Sequence, residues 1–532
     1  MRKFLRNGYT LIKLLMVTAT MLMRPVLTTI AAGVLLFTAP AFAAKYFVDA
    51  TGGNDSNNGA SPGSAWQSLG KVNGTTFAPG DQILFKTGGR WLGMLNPKGS
   101  GSPENPIIID QYGSGPKPVI DGNGATGDGV VYLFNQQYWE INHLEILNDS
   151  TNGADRRGVY LSASNFVGTV VNHLYLRNCF IHNIKGIVGT SDSTTEAKRT
   201  GGVIVEVIDD GTAPTRFHDV RIEDCVISTV DDEGIALNNR SGGGYPGTPA
   251  WEARKFTQVL IRGNRINDVG KNAMIIRLTD ETGLIEHNVC WDTAYRACTG
   301  NTIFSRSCRG TVFQFNEGYR NRAGELDPKR YADGSLYDAD LESPGCIFQY
   351  SYSHDNAQGL FWQCTTPQDA NVIVRYNISR NDKGRIFCMN YDNTSTYVYN
   401  NTVYVPTNLS PILIDDRRKS KKKAYYFYNN IFYNLSASAT YQWKPGAIRV
   451  FDSNVFYGQH PADEPSDPHK LTSDPLLVAP GAGDTGLDTL GGYKLQAGSP
   501  CIGSGMVVPN NGGRDFWGNT VPSGVAPDRG AE

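Results

Sequence analysis

Residues 371–401, NVIVRYNISRNDKGRIFCMNYDNTSTYVYNN, hold one full period of the repeat that decides the fold. VIVRYN ends on Asn377, a turn leads to the short apolar run GRIFCMN (384–390), and TYVYNN then repeats the first element and ends on Asn401, 24 residues on. Apolar residues alternate inside each run, the period of a strand with one buried face. The element recurs as LYLRNC ending at Cys179, VRIEDC at Cys225, VLIRGN at Asn264, GLIEHN at Asn288, TVFQFN at Asn316, CIFQYS at Ser351 and YYFYNN at Asn430. Subtracting positions from Asn264 onward gives steps of 24, 28, 35, 26, 24 and 29 residues, one coil plus loop insertions.

A coil of two or three short strands cannot bury its apolar face alone, so coils must stack and share one interior. The expected fold is all-β, a parallel β-solenoid. A propeller would need a steadier and longer period, and amphipathic helical stretches are nearly absent. Asn at the end of each first strand suits the solenoid twice: it tolerates a left-handed turn, and stacked amides bond from coil to coil. The second strands align as GIALNN (234–239), NAMIIRL (272–278), NTIFSR (301–306), SLYDAD (335–340), GLFWQC (359–364), GRIFCMN and PILIDD (411–416). In that register Tyr337 and Ala339 point inward, leaving Asp338 and Asp340 on a flat, solvent-facing sheet that could floor a groove.

Four segments follow. Residues 1–43 read as a signal peptide, with Arg24 before an apolar run from Val26 to Phe37, then Pro40 and the cleavage pattern Ala41-Phe42-Ala43. The expectation is export, to the periplasm or outside, with Ala44 as the mature N-terminus; Met21 or Met23 would give a signal of more ordinary length. Residues 44–122 read as a cap and first coils, with Trp66, Leu69 and Val72 covering the open end of the interior. Residues 123–473 are the solenoid, and the Gly/Pro-rich residues 474–532 a tail packing on it at the other end.

A net charge of −2 over 532 residues gives no support to a role on nucleic acid or an anionic membrane. No later segment is apolar enough to span a membrane. Nine cysteines form no CxxC pair and no zinc pattern, and several occupy equivalent repeat positions, so stacked thiols are as fitting as bridges.

YFVDATGGNDSNNGASPGSAWQSL with PGDQILFKTG, the repeated coils, DGSLYDAD…FQYSYSHDN and the closing GSPCIGSG…DFWGN…PDRGAE resemble exported bacterial right-handed parallel β-helix proteins of the pectate-lyase-like superfamily. The resemblance spans nearly the whole mature chain. It implies a single-stranded right-handed parallel β-helix and a carbohydrate ligand, but the superfamily holds lyases, hydrolases, epimerases and adhesins, and fold does not settle function.

Hydrolysis of a glycosidic bond needs two flanking carboxyls, one protonated and one ionised. Asp338 and Asp340 lead, with Asp333 and Glu342 bracketing their strand, Asp231, Asp232 and Glu233 in the turn before GIALNN, and Asp415 and Asp416 ending PILIDD. An Asp-x-Asp face is also simply solvated, or binds calcium. The insertion YRNRAGELDPKRYADG (319–334) could form one wall of a groove. Arg277, Arg306 and Arg385 could clamp a sugar carboxylate or, with Lys383, serve a lyase, or be ordinary surface cations. Trp362 is a stacking platform if it points outward. Trp362, Arg385, Asn390, Asp416 and Glu233 are the candidate substrate-binding residues. His354 more simply orients a loop, and RRKSKKK (417–423) is most simply a solvated turn.

Three functions remain: a glycoside hydrolase on the paired aspartates, a calcium-dependent lyase in which Asp338 and Asp340 hold the metal, and a non-catalytic glycan binder. The hydrolase is preferred because the paired acids are better placed than any lysine. It requires no cofactor, calcium being possible only in the lyase reading, and the partner is a polysaccharide or oligosaccharide acted on by a monomer.

Overall fold

A computed structural model describes residues 43–189, 198–209, 211, 213–327, 333–364, 371–390, 395–417 and 423–532; the signal-peptide segment thus lies outside the described residues apart from Ala43. The chain winds through three sheets of 14, 13 and 11 strands in which every pairing is parallel. Each coil takes one strand from each sheet in turn, as in Val372–Arg375, Ile378–Arg380 and Arg385–Met389. Because parallel crossovers are right-handed, the result is a right-handed parallel β-helix. The first motif strands form the 14-stranded sheet and the aligned second strands the 11-stranded one, while the 13-stranded sheet is made by the residues after each Asn turn.

The interior is a stack of apolar columns. Phe313, Phe348, Val374, Val398 and Phe427 pair in register along the first sheet, all 0% exposed, and the Phe313 and Phe348 rings stack 4.8 Å apart. Tyr337 and Ala339 belong to this interior, as the register requires.

A ladder of amides runs along the first turn. Asn264 Nδ2 donates to Asn288 Oδ1 at 2.9 Å and Asn288 to Asn316 at 3.0 Å; Asn377, Asn401, Asn430 and Asn454 continue it, and Asp467 closes it. Each Nδ2 also caps a backbone carbonyl of the coil behind, as Asn377 does for Phe348 at 3.0 Å. The left-handed residue is not the ladder Asn but the one before it: His287, Phe315, Tyr350, Tyr376, Asn400 and Asn429 have φ between 51° and 55°. Asn is therefore selected for its amide, whose buried donors and acceptor all find partners. Bulky Phe and Tyr tolerate the turn because the ladder holds it.

All nine cysteines are unbridged thiols. Cys179 and Cys225 occupy the ladder position in earlier coils, where the Cys225 N–H donates to Asn264 Oδ1 at 3.0 Å.

At the N-terminal end the short helix Leu69–Asn73, capped by Ser68 accepting the Lys71 N–H, buries Leu69 and Val72 with Trp66 against the solenoid interior. Leu477, Leu490, Tyr493 and Phe516 pack against outward tyrosines 350, 352, 376 and 399, along the side of the coils. The Gly486 N–H reaches Glu317 at 2.9 Å and Arg375 Nη1 reaches the Asn510 carbonyl at 2.8 Å, so polar bonds fix the tail on the same side as those rings. Among the described residues no helix is long and apolar enough to cross a membrane.

Candidate active site

On the outer face of the 11-stranded sheet, register stacks Tyr160, Ile204, Ala236, Ile275, Phe304, Asp338, Trp362, Cys388 and Asp415 in one column. Asp338 and Asp340 thus point outward as expected. The expected open floor is absent: Phe304, Asp338, Trp362 and Asp415 are 6%, 7%, 3% and 3% exposed, and the column from Tyr160 to Phe304 is a buried apolar cluster. Cationic side chains cover parts of it. Lys198 Nζ lies 4.8 Å from the Phe304 ring centroid, and the Arg385 and Arg417 guanidiniums stand 5.6 and 5.3 Å from that of Trp362. Trp362 is outward but not an open platform.

Three carboxyls of one coil meet in this cover. Asp338 is buried, with Oδ2 accepting from Asn301 Nδ2 at 2.8 Å and Oδ1 without a hydrogen-bond partner. Burial first, then the charges of Asp340 and Asp333, push Asp338 well above the usual carboxylate range. It holds a proton. Asp340 and Asp333 are only half-buried. Burial raises Asp340 as well, but Arg306, with Nη1 3.9 Å from Oδ2, pulls it back, as does Lys198. Asp333 Oδ2 accepts from Thr299 Oγ1 at 2.7 Å. Asn301 Oδ1 also accepts the Gly334 and Ser335 N–H groups at 2.9 and 2.8 Å, so one amide fixes the approach of the strand and one of its acids.

A cleft of about 760 Å³ is lined by Arg320, Arg322, Glu325, Gln358, Lys383 and Arg385 among others, and by none of the three aspartates. The first part of the 319–334 insertion forms one wall, with Arg320 paired to Asp292 and Arg322 to Glu325; residues 328–332 lie outside the described residues. The Gln358 N–H donates to the Gly334 carbonyl at 3.1 Å, which places the cleft next to Asp333.

The other expected residues scatter. Arg277 bonds Asn238 Oδ1 at 2.9 Å and stands 5.7 Å from the Phe304 centroid, at the edge of the acid cluster. Arg385 pairs with Asp415 at 2.8 Å. Asn390 is 6% exposed, its N–H on the Gln363 carbonyl. Glu233 is 0% exposed and held by Asn272, and Asp416 is 0% exposed between Lys423 and Arg449; neither reaches the cleft, because each sits where its strand turns into the covered interior. His354 is buried between Glu317 and Asp355, and Glu317 in turn holds the tail, which is a structural role. Of 417–423, residues 418–422 lie outside the described residues. Asn301, Thr299, Cys364, whose thiol bonds Asp340, and Lys198 went unread in the sequence; Asn301 alone carried a signal, as the first residue of NTIFSR.

A calcium ion takes about six to eight oxygen ligands, and among the described residues no group of three or more His, Cys, Asp or Glu side chains is placed to hold a metal.

No protein-family model matches the chain. Over 598 aligned positions it is 27% identical to the lacto-N-biosidase of Bifidobacterium longum subsp. longum, covering 91% of this chain and 36% of that protein. The chain resembles a lacto-N-biosidase. It spans about a third of that relative's length. Among solved structures it is similar to the GH136 lacto-N-biosidase of Eubacterium ramulus, with a TM-score of 0.58 and 19% identity over 75% of this chain and 68% of that one, a likeness of fold.

Proposed function

We propose that the protein is an exported glycoside hydrolase that cleaves an oligosaccharide such as a lacto-N-bioside, with Asp333 and Asp340 as its reacting carboxyls. The observation that carries this reading is the gathering of three aspartates of one coil beside a cleft, two of them reachable and the third buried. Likeness to the lacto-N-biosidases supports the substrate class.

Three neighbouring carboxyls cannot all be charged. Asp338, desolvated, is drawn to its neutral form, and with Asp333 protonated as the acid a single negative charge, on Asp340, faces Arg306 and Lys198. Asp340, the one beside the cations, is the ionised member. It attacks the anomeric carbon or takes a proton from the water that does. Asp333 gives its proton to the glycosidic oxygen, so the leaving sugar departs neutral while the C–O bond breaks. Thr299 orients Asp333, and Asn301 holds the strand between the two acids. The chain acts as a monomer and requires no cofactor.

The test is an assay on chromogenic lacto-N-biosides and a panel of other oligosaccharides, following new reducing ends and unsaturated products together, with and without chelator. Reducing ends alone, indifferent to chelator and lost in Asp333→Asn and Asp340→Asn, support the proposal. Chelator-sensitive unsaturated product, or binding without turnover, overturns it.

A further inference from the structure

The turn before Glu233 carries a buried carboxylate that the reaction does not use. Asp232 is 1% exposed, and its two oxygens accept from the two ends of one connection: the Gly189 N–H at 2.9 Å and the Lys198 N–H at 3.1 Å. Lys198 has φ of 71°, a left-handed backbone that a side chain with Cβ rarely adopts and that the bond to Asp232 fixes. From that point its ammonium reaches 4.8 Å from the Phe304 ring centroid, and Phe304 is the register neighbour of Asp338.

Resting on Asp340 as the ionised carboxyl, we propose that Lys198, clipped by Asp232 beside the acid cluster, is a positioning residue whose charge favours the ionised form of Asp340. The charges facing Asp340 are Arg306 from the coil before, Asp333 and Asp338 from its own coil, the Cys364 thiol from the coil after, and Lys198. Only Arg306 and Lys198 are cationic among these. Around the clip, Glu233 is the like-charged neighbour of Asp232 and Lys271 the opposite one. Burial and Glu233 push Asp232 up to about 7, so the clip carries an electrostatic strain that the fold tolerates at this one turn. A lysine serves here because its ammonium, unlike a bound metal, neutralises charge without occupying the carboxylate's lone pairs.

The experiment is the pH profile of kcat/KM for the full chain carrying Lys198→Gln, Lys198→Arg or Asp232→Ala, with folding checked by thermal unfolding. Loss of a nearby cation raises the pKa of a carboxylate, so Lys198→Gln is expected to move the acidic limb upward by about half to one pH unit. Lys198→Arg restores the limb, and Asp232→Ala, which removes both acceptors of the clip, moves it the same way by releasing the lysine. Acidic limbs that superimpose on the parent's, with only the amplitude changed, overturn the role of Lys198. An Asp340→Asn variant that keeps full turnover would instead overturn the reading of Asp340 beneath it, so the two failures are distinguishable; should Lys198→Gln not fold, the Arg and Asp232 variants decide.

Discussion

Tyr337 supplies the rung that the amide ladder lacks at Ser351: its hydroxyl lies 2.7 Å from Ser351 Oγ and accepts from Asn316 Nδ2 at 3.1 Å. The strand that presents Asp338 and Asp340 outward is thus pinned inward by a phenol. Tyr337→Phe leaves one N–H of the buried Asn316 amide without its acceptor while the other still meets the Ile285 carbonyl, and its expected cost is about 1–3 kcal/mol of stability. Denaturant unfolding checks this, and a loss below a few tenths would show that the ladder closes without the phenol.

Asp338 separates the account from one in which the Asp-x-Asp pair reacts. A carboxyl already protonated is close in shape and charge to an amide, so Asp338→Asn is expected to retain activity within about tenfold, whereas Asp333→Asn and Asp340→Asn lose about 10²–10⁴ in kcat. Steady-state kinetics of the three variants reads the order directly. If Asp338→Asn is the most damaged, the buried carboxyl is the acid.

Ladder rungs should be costly wherever they are cut. Asn377 is 0% exposed, donates to the Phe348 carbonyl and Asn401 Oδ1, and accepts from the Ser351 N–H at 2.9 Å. Asn377→Ala takes this partner from the Phe348 carbonyl and the Ser351 N–H, while Asn401 Oδ1 keeps the Asn377 N–H, and is expected to destabilise by roughly 2–4 kcal/mol, since each orphaned group costs about 1–3. Thermal unfolding of this variant beside an exposed control, Gln459→Ala, provides the comparison.

Stability should fall as pH rises from about 5 to 8. Burial, then Glu233, raises Asp232 to about 7, and burial raises Asp382 to about 6 despite donors from Ser353, Ser379 and Asn356. Both exceed the unfolded value of about 3.9, so between those values the folded state binds more protons and loses stability as they leave. His354, raised by Asp355 and Glu317 against its burial, contributes stability below its unfolded pKa that is likewise lost as pH rises through the folded one. A Tm that climbs across this window would contradict these assignments.

The solenoid was legible because its signal is local. Each coil repeats apolar alternation and an Asn within about 30 residues, and the second-strand register follows from Tyr337 and Ala339 alone. The left-handed position was misplaced by one residue because the ladder Asn is chosen for bonding across coils, which one coil's sequence does not reveal. The covered outer face was unreadable for a related reason: Lys198 lies far along the chain from Phe304 and Asp338, and only stacking brings them together. Asp333, a mere bracket to the strand in sequence, becomes a partner of Asp340 once the turn and Asn301 carry it back over the sheet.

The account's central claim is that the glycosidic bond is broken by water rather than by elimination. The most direct measurement is to run the reaction in heavy-oxygen water and weigh the products by mass spectrometry. One heavy oxygen at the new reducing end, with no unsaturated sugar, is the expected result; an unlabelled, unsaturated product would contradict it.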